Sequence, residues 1–209
     1  GSGTCIRGSR FLNSRRHGYI SRSKNTIYMN NYMQNNAGTM VSAENEANST
    51  EGPFPSAFTL RNCRAYADGM TANAHVKAPI TFRNQGLSTS IPPQIDGALI
   101  EGNIIQVNTK RYSILINSVK DLYMRDNTIK WSPEWNEGFD ATSYAKYVPV
   151  QITNSEIKEI DGIHFEYDMD VDSIISIAVT NVNKENAAGI IKNITKPAGN
   201  KSKDYSIIK

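Results

Sequence analysis

Apolar and polar residues alternate along this chain in short runs rather than recurring every three or four positions, a period that predicts strands. Ile27-Tyr28-Met29, Phe58-Thr59-Leu60, Ile114-Leu115-Ile116, Val150-Gln151-Ile152 and Ile163-His164-Phe165 are such runs, each closed by Asn, Ser, Asp or Gly. Good helix formers never gather at helical spacing. The runs also resemble one another. Lys24-Asn25-Thr26-Ile27-Tyr28-Met29-Asn30-Asn31 recurs, with one residue dropped, as Lys120-Asp121-Leu122-Tyr123-Met124-Arg125-Asp126-Asn127. Weaker echoes are Phe58 to Cys63, Leu99 to Ile104 and Ile152 to Ile157. The unit reads apolar, any, apolar, any, Asn-like, any, apolar.

This self-similarity predicts an all-β parallel solenoid. Ile6 to Met29 is 23 residues and Ile100 to Met124 is 24, one turn of a parallel β-helix, so coils of about 23–25 residues are expected, with longer intervals marking insertions. Two strands per coil are expected. The second set is Gly18-Tyr19-Ile20, Gly38-Thr39-Met40-Val41, Pro79-Ile80-Thr81-Phe82, Ser113-Ile114-Leu115-Ile116 and Gly162-Ile163-His164-Phe165. Asn at a coil corner tolerates left-handed backbone angles and can bond its counterpart one coil away, which gives the abundance of Asn a physical reason. The alternative is a β-sandwich with Asn-rich turns, but Asp68-Gly69, Asp96-Gly97 and Asp161-Gly162 do not sit symmetrically between paired runs as hairpin turns would. Long segments at 43–57, 84–97 and 131–147 interrupt the coils, and such excursions commonly rim a solenoid's binding face.

Gly1-Ser2-Gly3 reads as a cloning remnant, residues 4–182 as the β-helix, and 183–209, rich in Lys and Asn, as a polar C-terminal cap. Thr4-Cys5-Ile6 already reads as strand, so further coils, and part of any catalytic constellation, are expected upstream.

Charge narrows the partners. The 209 residues carry 23 Lys plus Arg against 20 Asp plus Glu, a net +3, with no block of like charge to form a nucleic-acid arm or a membrane-binding patch. No apolar run approaches the roughly 20 residues that span a bilayer, and no secretion signal precedes the first strand. Cys5 and Cys63 form no disulfide framework, zinc set or redox motif. They are expected about two coils, or roughly 9–10 Å, apart, beyond disulfide reach, and both read as buried free thiols.

Phe11-Leu12-Asn13-Ser14-Arg15-Arg16-His17-Gly18-Tyr19-Ile20, then Asn30-Asn31-Tyr32-Met33, Val41-Ser42-Ala43-Glu44-Asn45-Glu46, Glu51-Gly52-Pro53 and Leu60-Arg61-Asn62 resemble the right-handed, single-stranded parallel β-helix of carbohydrate-active enzymes. The pattern is most similar to the α-1,3-galactosidase group, glycoside hydrolase family 110. The likeness covers residues 4 to 65 and thins beyond them to generic repeats of the pectate-lyase-like kind. It implies a right-handed coil, in line with the preference of parallel crossovers. It also implies a secreted, periplasmic or cell-surface protein that cleaves an oligo- or polysaccharide with two carboxyl groups.

Candidate residues follow from that chemistry. Glu44, Glu46 and Glu51, in the first excursion, are the first carboxylate candidates; acidic residues solvating a loop are the bland account. In Asp161 to Asp168, strand alternation points Ile163 and Phe165 inward and groups His164, Glu166 and Asp168 outside. That second cluster equally suits the wet side of a half-buried strand. Arg15, Arg16 and His17 at a coil corner could hold a sugar hydroxyl or carboxylate, or be exposed turn residues. Trp131 and Trp135 could stack on pyranose rings or pack their loop down. No cofactor is expected. Asp168, Asp170 and Asp172 leave Ca²⁺ as a minor reading, since the Gly and Glu of an EF-hand loop are absent. Three functions stay open: a glycoside hydrolase or a fragment of one, a non-catalytic carbohydrate-binding or structural β-helix, and a polysaccharide lyase.

Overall fold

The computed structural model describes residues 3–15, 17–46, 54–66, 78–85, 92–107, 112–131, 148–167, 175–180, 182, 187–201 and 203–208. They form a parallel β-helix. The strands are β1 (Thr4–Arg7), β2 (Arg10–Leu12), β3 (Tyr19–Ser21), β4 (Thr26–Met29), β5 (Tyr32–Gln34), β6 (Val41–Glu46), β7 (Ser56–Arg61), β8 (Arg64–Tyr66), β9 (Ile80–Gln85) and β10 (Ile95–Glu101). They continue as β11 (Ile104–Val107), β12 (Ile114–Asn117), β13 (Val119–Arg125), β14 (Thr128–Trp131), β15 (Val150–Thr153), β16 (Ile157–Asp161), β17 (His164–Tyr167) and β18 (Ile175–Thr180). After the short helix α1 (Ala187–Ile190) come β19 (Ile191–Lys192) and β20 (Lys203–Ile208).

As far as β19 every third strand joins the same sheet, so each coil has three strands rather than the two expected. Sheet A runs β1-β4-β7-β10-β13-β16-β19, sheet B β2-β5-β8-β11-β14-β17 and sheet C β3-β6-β9-β12-β15-β18-β20. All pairings are parallel, and a bridge from His164 to Thr195 carries sheet B toward the seventh coil. The second set proposed from sequence is sheet C for its first four members, but Gly162-Ile163-His164-Phe165 belongs to sheet B, and the echo at Ile152 lies in sheet C. The stretch 183–209 supplies β19 and β20, which pair onto sheets A and C.

The register shows that the founding repeat needs no dropped residue. Tyr28 pairs with Leu60, Leu60 with Ile100 and Ile100 with Met124, so Asn30 and Asn31 stand over Asp126 and Asn127 at equal offset. Coil length varies more than expected: partners are 22 residues apart between Cys5 and Ile27, 24 between Leu99 and Tyr123, and 40 between Thr59 and Leu99.

Alternation then fills the interior. The inward column of sheet A is Ile6, Tyr28, Leu60, Ile100, Met124, Ile160 and Ile191. Sheet B contributes Phe11, Met33, Ala65, Ile105, Ile129 and Phe165, and sheet C the paired columns begun by Tyr19 and Ser21. From the second to the sixth coil these apolar positions are buried, while Tyr205 and Ile207 at the far end of sheet C are only partly covered. At about 25 cal/mol per Å² of apolar area buried, stacking is what stabilises a coil that has no core of its own. In the first coil Ile6, Phe11 and Tyr19 are only partly covered. Their neighbour Tyr28 stacks on Tyr19 at 5.2 Å between ring centroids.

The corner from sheet A to sheet B has two residues in each of the first six coils. Its first residue is left-handed throughout: Gly8, Asn30, Asn62, Gly102, Asp126, Gly162 and, in the seventh coil, Asn193. Gly and Asn or Asp alone tolerate that angle cheaply. Its second residue turns inward and builds a ladder. Asn31 Nδ2 donates to the Ile6 carbonyl, Asn103 Nδ2 to Leu60 and Asn127 Nδ2 to Ile100, at 3.0, 3.2 and 2.9 Å. Each side-chain oxygen accepts a backbone N–H from the coil before it: Ser9 to Asn31, Cys63 to Asn103 and Asn103 to Asn127. Cys63 takes the ladder position in the third coil and is buried there, whereas Cys5 faces outward and is exposed, against the expectation of two buried thiols. Both are free. Burial pushes the Cys63 thiol up to about 11.

Candidate functional site

The connections locate a face. While the sheet A to sheet B corner stays at two residues, the stretches that lengthen (47–55, 67–79, 86–94, 132–149) all enter or leave sheet C. Insertions confined to one side of a solenoid mark its binding side. The outer face of sheet C is therefore the candidate site.

In β6 and β9 that face is built by alternation. Val41, Ala43, Ile80 and Phe82 point into the core, which turns Ser42, Glu44, Thr81 and Arg83 outward in two adjoining columns. Outward does not mean exposed here: Ser42 and Thr81 are 1% and Glu44 2% accessible. The Arg83 guanidinium donates through Nε to Glu44 Oε2 at 2.5 Å, and the Thr81 hydroxyl donates to the Ala78 carbonyl at 3.1 Å. The buried Ser42 Oγ has no hydrogen-bond partner among the described residues. The outer wall of β6 and β9 is thus polar but covered. The strip continues through Asn117, whose Nδ2 donates to Thr153 Oγ1 at 2.8 Å, and Gln151.

Of the residues singled out from sequence, Glu44 sits in this wall and Glu46 two residues further along the same strand, both in β6 rather than in a loop. Glu51, Arg16, Trp135 and Asp168 lie outside the described residues, as do Asp170 and Asp172; for Trp131 only its place at the end of β14 is described. His164 and Glu166 face outward on sheet B, as alternation requires, away from sheet C. Glu166 pairs with Lys130 at 2.9 Å and lies 3.7 Å from His164 Nε2, while His164 Nδ1 meets the Thr195 hydroxyl at 2.8 Å. These contacts tie one coil to the next on an open sheet. Arg15 is exposed at the corner into β3. His17 Nδ1 accepts the Thr39 backbone N–H at 3.3 Å and lies 2.6 Å from the Thr39 hydroxyl, which makes it a fastener between the first two coils. Sequence reasoning missed Ser42, Thr81 and Arg83. Arg83 was legible in principle, as a cation at an outward strand position one coil from Glu44.

Among the described residues no group of His, Cys, Asp or Glu is placed to hold a metal ion, and no helix is long and apolar enough to cross a membrane. No protein-family model and no curated protein matches the chain. Among solved structures it is similar to QnrB1, a plasmid-mediated fluoroquinolone resistance protein, at 9% identity over 93% of this chain and 90% of that one, with a TM-score of 0.15. The fold therefore rests on the strand pairing itself.

Proposed function

We propose that this chain is a carbohydrate-active β-helix, a glycoside hydrolase of the α-galactosidase kind or part of one, working outside the cytoplasm on an oligo- or polysaccharide. The observation that carries the reading is the covered Glu44–Arg83 pair on the sheet C face, flanked by two hydroxyls and by the long connections. Glu46 lies two residues from Glu44 on β6, a backbone advance of about 6.6 Å at ~3.3 Å per residue, and an inverting mechanism needs carboxyls roughly 6.5–9.5 Å apart. In that scheme Arg83 fixes the orientation of the Glu44 carboxylate, one of the two acids protonates the leaving oxygen, and the other activates water.

A screen of chromogenic α-galactosides and a glycan array test this on the whole chain. Turnover that Glu44→Gln or Glu46→Gln abolishes, with binding kept, is the expected result; turnover unchanged in both variants removes these residues from the chemistry. The ion pair itself favours a second reading, a non-catalytic sugar-binding wall, because it already occupies the Glu44 carboxylate. Under that reading glycans bind, no product forms, and Arg83→Gln weakens binding.

A further inference from the structure

We propose a second ligand surface, on the outer face of sheet B in the first three coils, that takes an acidic polysaccharide. Arg10, Tyr32 and Arg64 follow one another in a single outward column across β2, β5 and β8, with Gln34 and Tyr66 in the column beside it. The Arg10 guanidinium lies 5.3 Å from the centre of the Tyr32 ring, the Tyr32 and Tyr66 rings are 5.5 Å apart, and the Tyr32 hydroxyl donates to Gln34 Oε1 at 2.9 Å. The aromatic pair is thus held in place before any ligand arrives.

Charge identifies the ligand. Arg10 and Arg64 are exposed, and neither has an acidic partner among the described residues. Further along the same face, in the fifth and sixth coils, Lys130 is answered by Glu166. Among the described residues, Arg10 and Arg64 at the tyrosine end carry positive charge with no acidic partner. Guanidinium forks bind carboxylates two-handed, and the packed tyrosine pair holds the Arg10 guanidinium over Tyr32 on the same face as Arg64. Arg10 and Arg64 are two coils apart, about 9.6 Å at ~4.8 Å per strand, a spacing that suits an extended sugar chain with a carboxylate on every second ring. Single-stranded nucleic acid fits less well. It needs separate ring faces for successive bases and a basic track along its backbone, whereas these two rings pack against each other and the chain has no basic block.

The surface shares with the proposed function only the class of ligand, and it lies on a different sheet. Titration calorimetry of the whole chain with a hyaluronan oligosaccharide, its carboxyl-reduced form and an oligothymidylate of equal charge tests it. Expected are binding of the acidic sugar that salt weakens, loss of roughly tenfold or more in affinity in Arg64→Gln and in Tyr32→Ala, and no binding of the reduced form. Arg64→Gln, an exposed change, keeps the melting temperature and any α-galactoside binding. The proposal is overturned by the absence of hyaluronan binding, by equal affinity for the reduced sugar, or by tighter binding of the oligothymidylate. It is overturned equally if Arg64→Gln abolishes α-galactoside binding together with hyaluronan binding, since the two faces would then be one site.

Discussion

Cys63 interrupts an interior ladder that Asn31, Asn103 and Asn127 otherwise build. Its thiol reaches the Tyr28 carbonyl only at 3.7 Å, where an amide would donate a full hydrogen bond and offer an oxygen to the coil before it. Cys63→Asn is therefore expected to raise stability by about 1 kcal/mol in urea unfolding. The same thiol adds a pH dependence. Its folded value of about 11 lies above the ordinary 9.0, so its contribution is complete below pH 9 and fades as pH climbs through 11. Two units correspond to roughly 2–3 kcal/mol, and Cys63→Ala should flatten the alkaline limb of the stability profile by up to that amount. At neutral pH a thiol reagent should label Cys5 and spare Cys63. Single residues were partly legible in advance: Asn at the corners pointed to left-handed angles, but Cys63 filling an Asn position could not be read without the register. Cys5 was misread because alternation in a single edge strand leaves open which parity faces inward.

At the level of elements, the Glu44–Arg83 pair joins β6 to β9 with both charges covered. Removing one partner of such a pair leaves the other buried alone, so Arg83→Met should cost about 3–5 kcal/mol, while Glu44→Met with Arg83→Met together should cost much less. Thermal melts of the single and double variants measure the difference. Sheet A shows how far sequence carried. Five of its seven strands, β1, β4, β7, β10 and β13, were visible as one self-similar unit, whereas the echo at Ile152 fell in sheet C and β16 and β19 went unrecognised. Apart from Ile163-His164-Phe165, which was read as a strand but placed in the wrong set, sheet B escaped notice because its strands of three or four residues follow a two-residue corner and read as the tail of the preceding strand. Ser42 and Thr81 escaped for a different reason. A polar residue at an outward strand position is expected in water, and only the structure shows these two covered.

Over the whole molecule, stability is a sum of coil-to-coil contacts, so position along the axis matters as much as side-chain type. Ile100 has a neighbour on either side and is fully buried, whereas Ile6 in the first coil is only partly covered. Ile100→Ala should cost about 2–5 kcal/mol and Ile6→Ala well under half of that. Amide exchange should be fastest in β1, β2 and β3 and slowest in the central coils. The common side of the long connections was not legible, because they could be counted in the sequence but not placed around the coil.

The left-handed corner has one more effect. It returns in every coil at the same place whether the intervening chain is 22 or 40 residues long, and so works like a bar line in music, restarting the count however many notes fall between. A residue inserted in 86–94 is forgotten by the time the chain reaches Gly102, but a residue deleted at Asn62 shifts the third coil out of step with both neighbours. The length of chain devoted to the sheet C side is thus free to change while the scaffold beneath it keeps time.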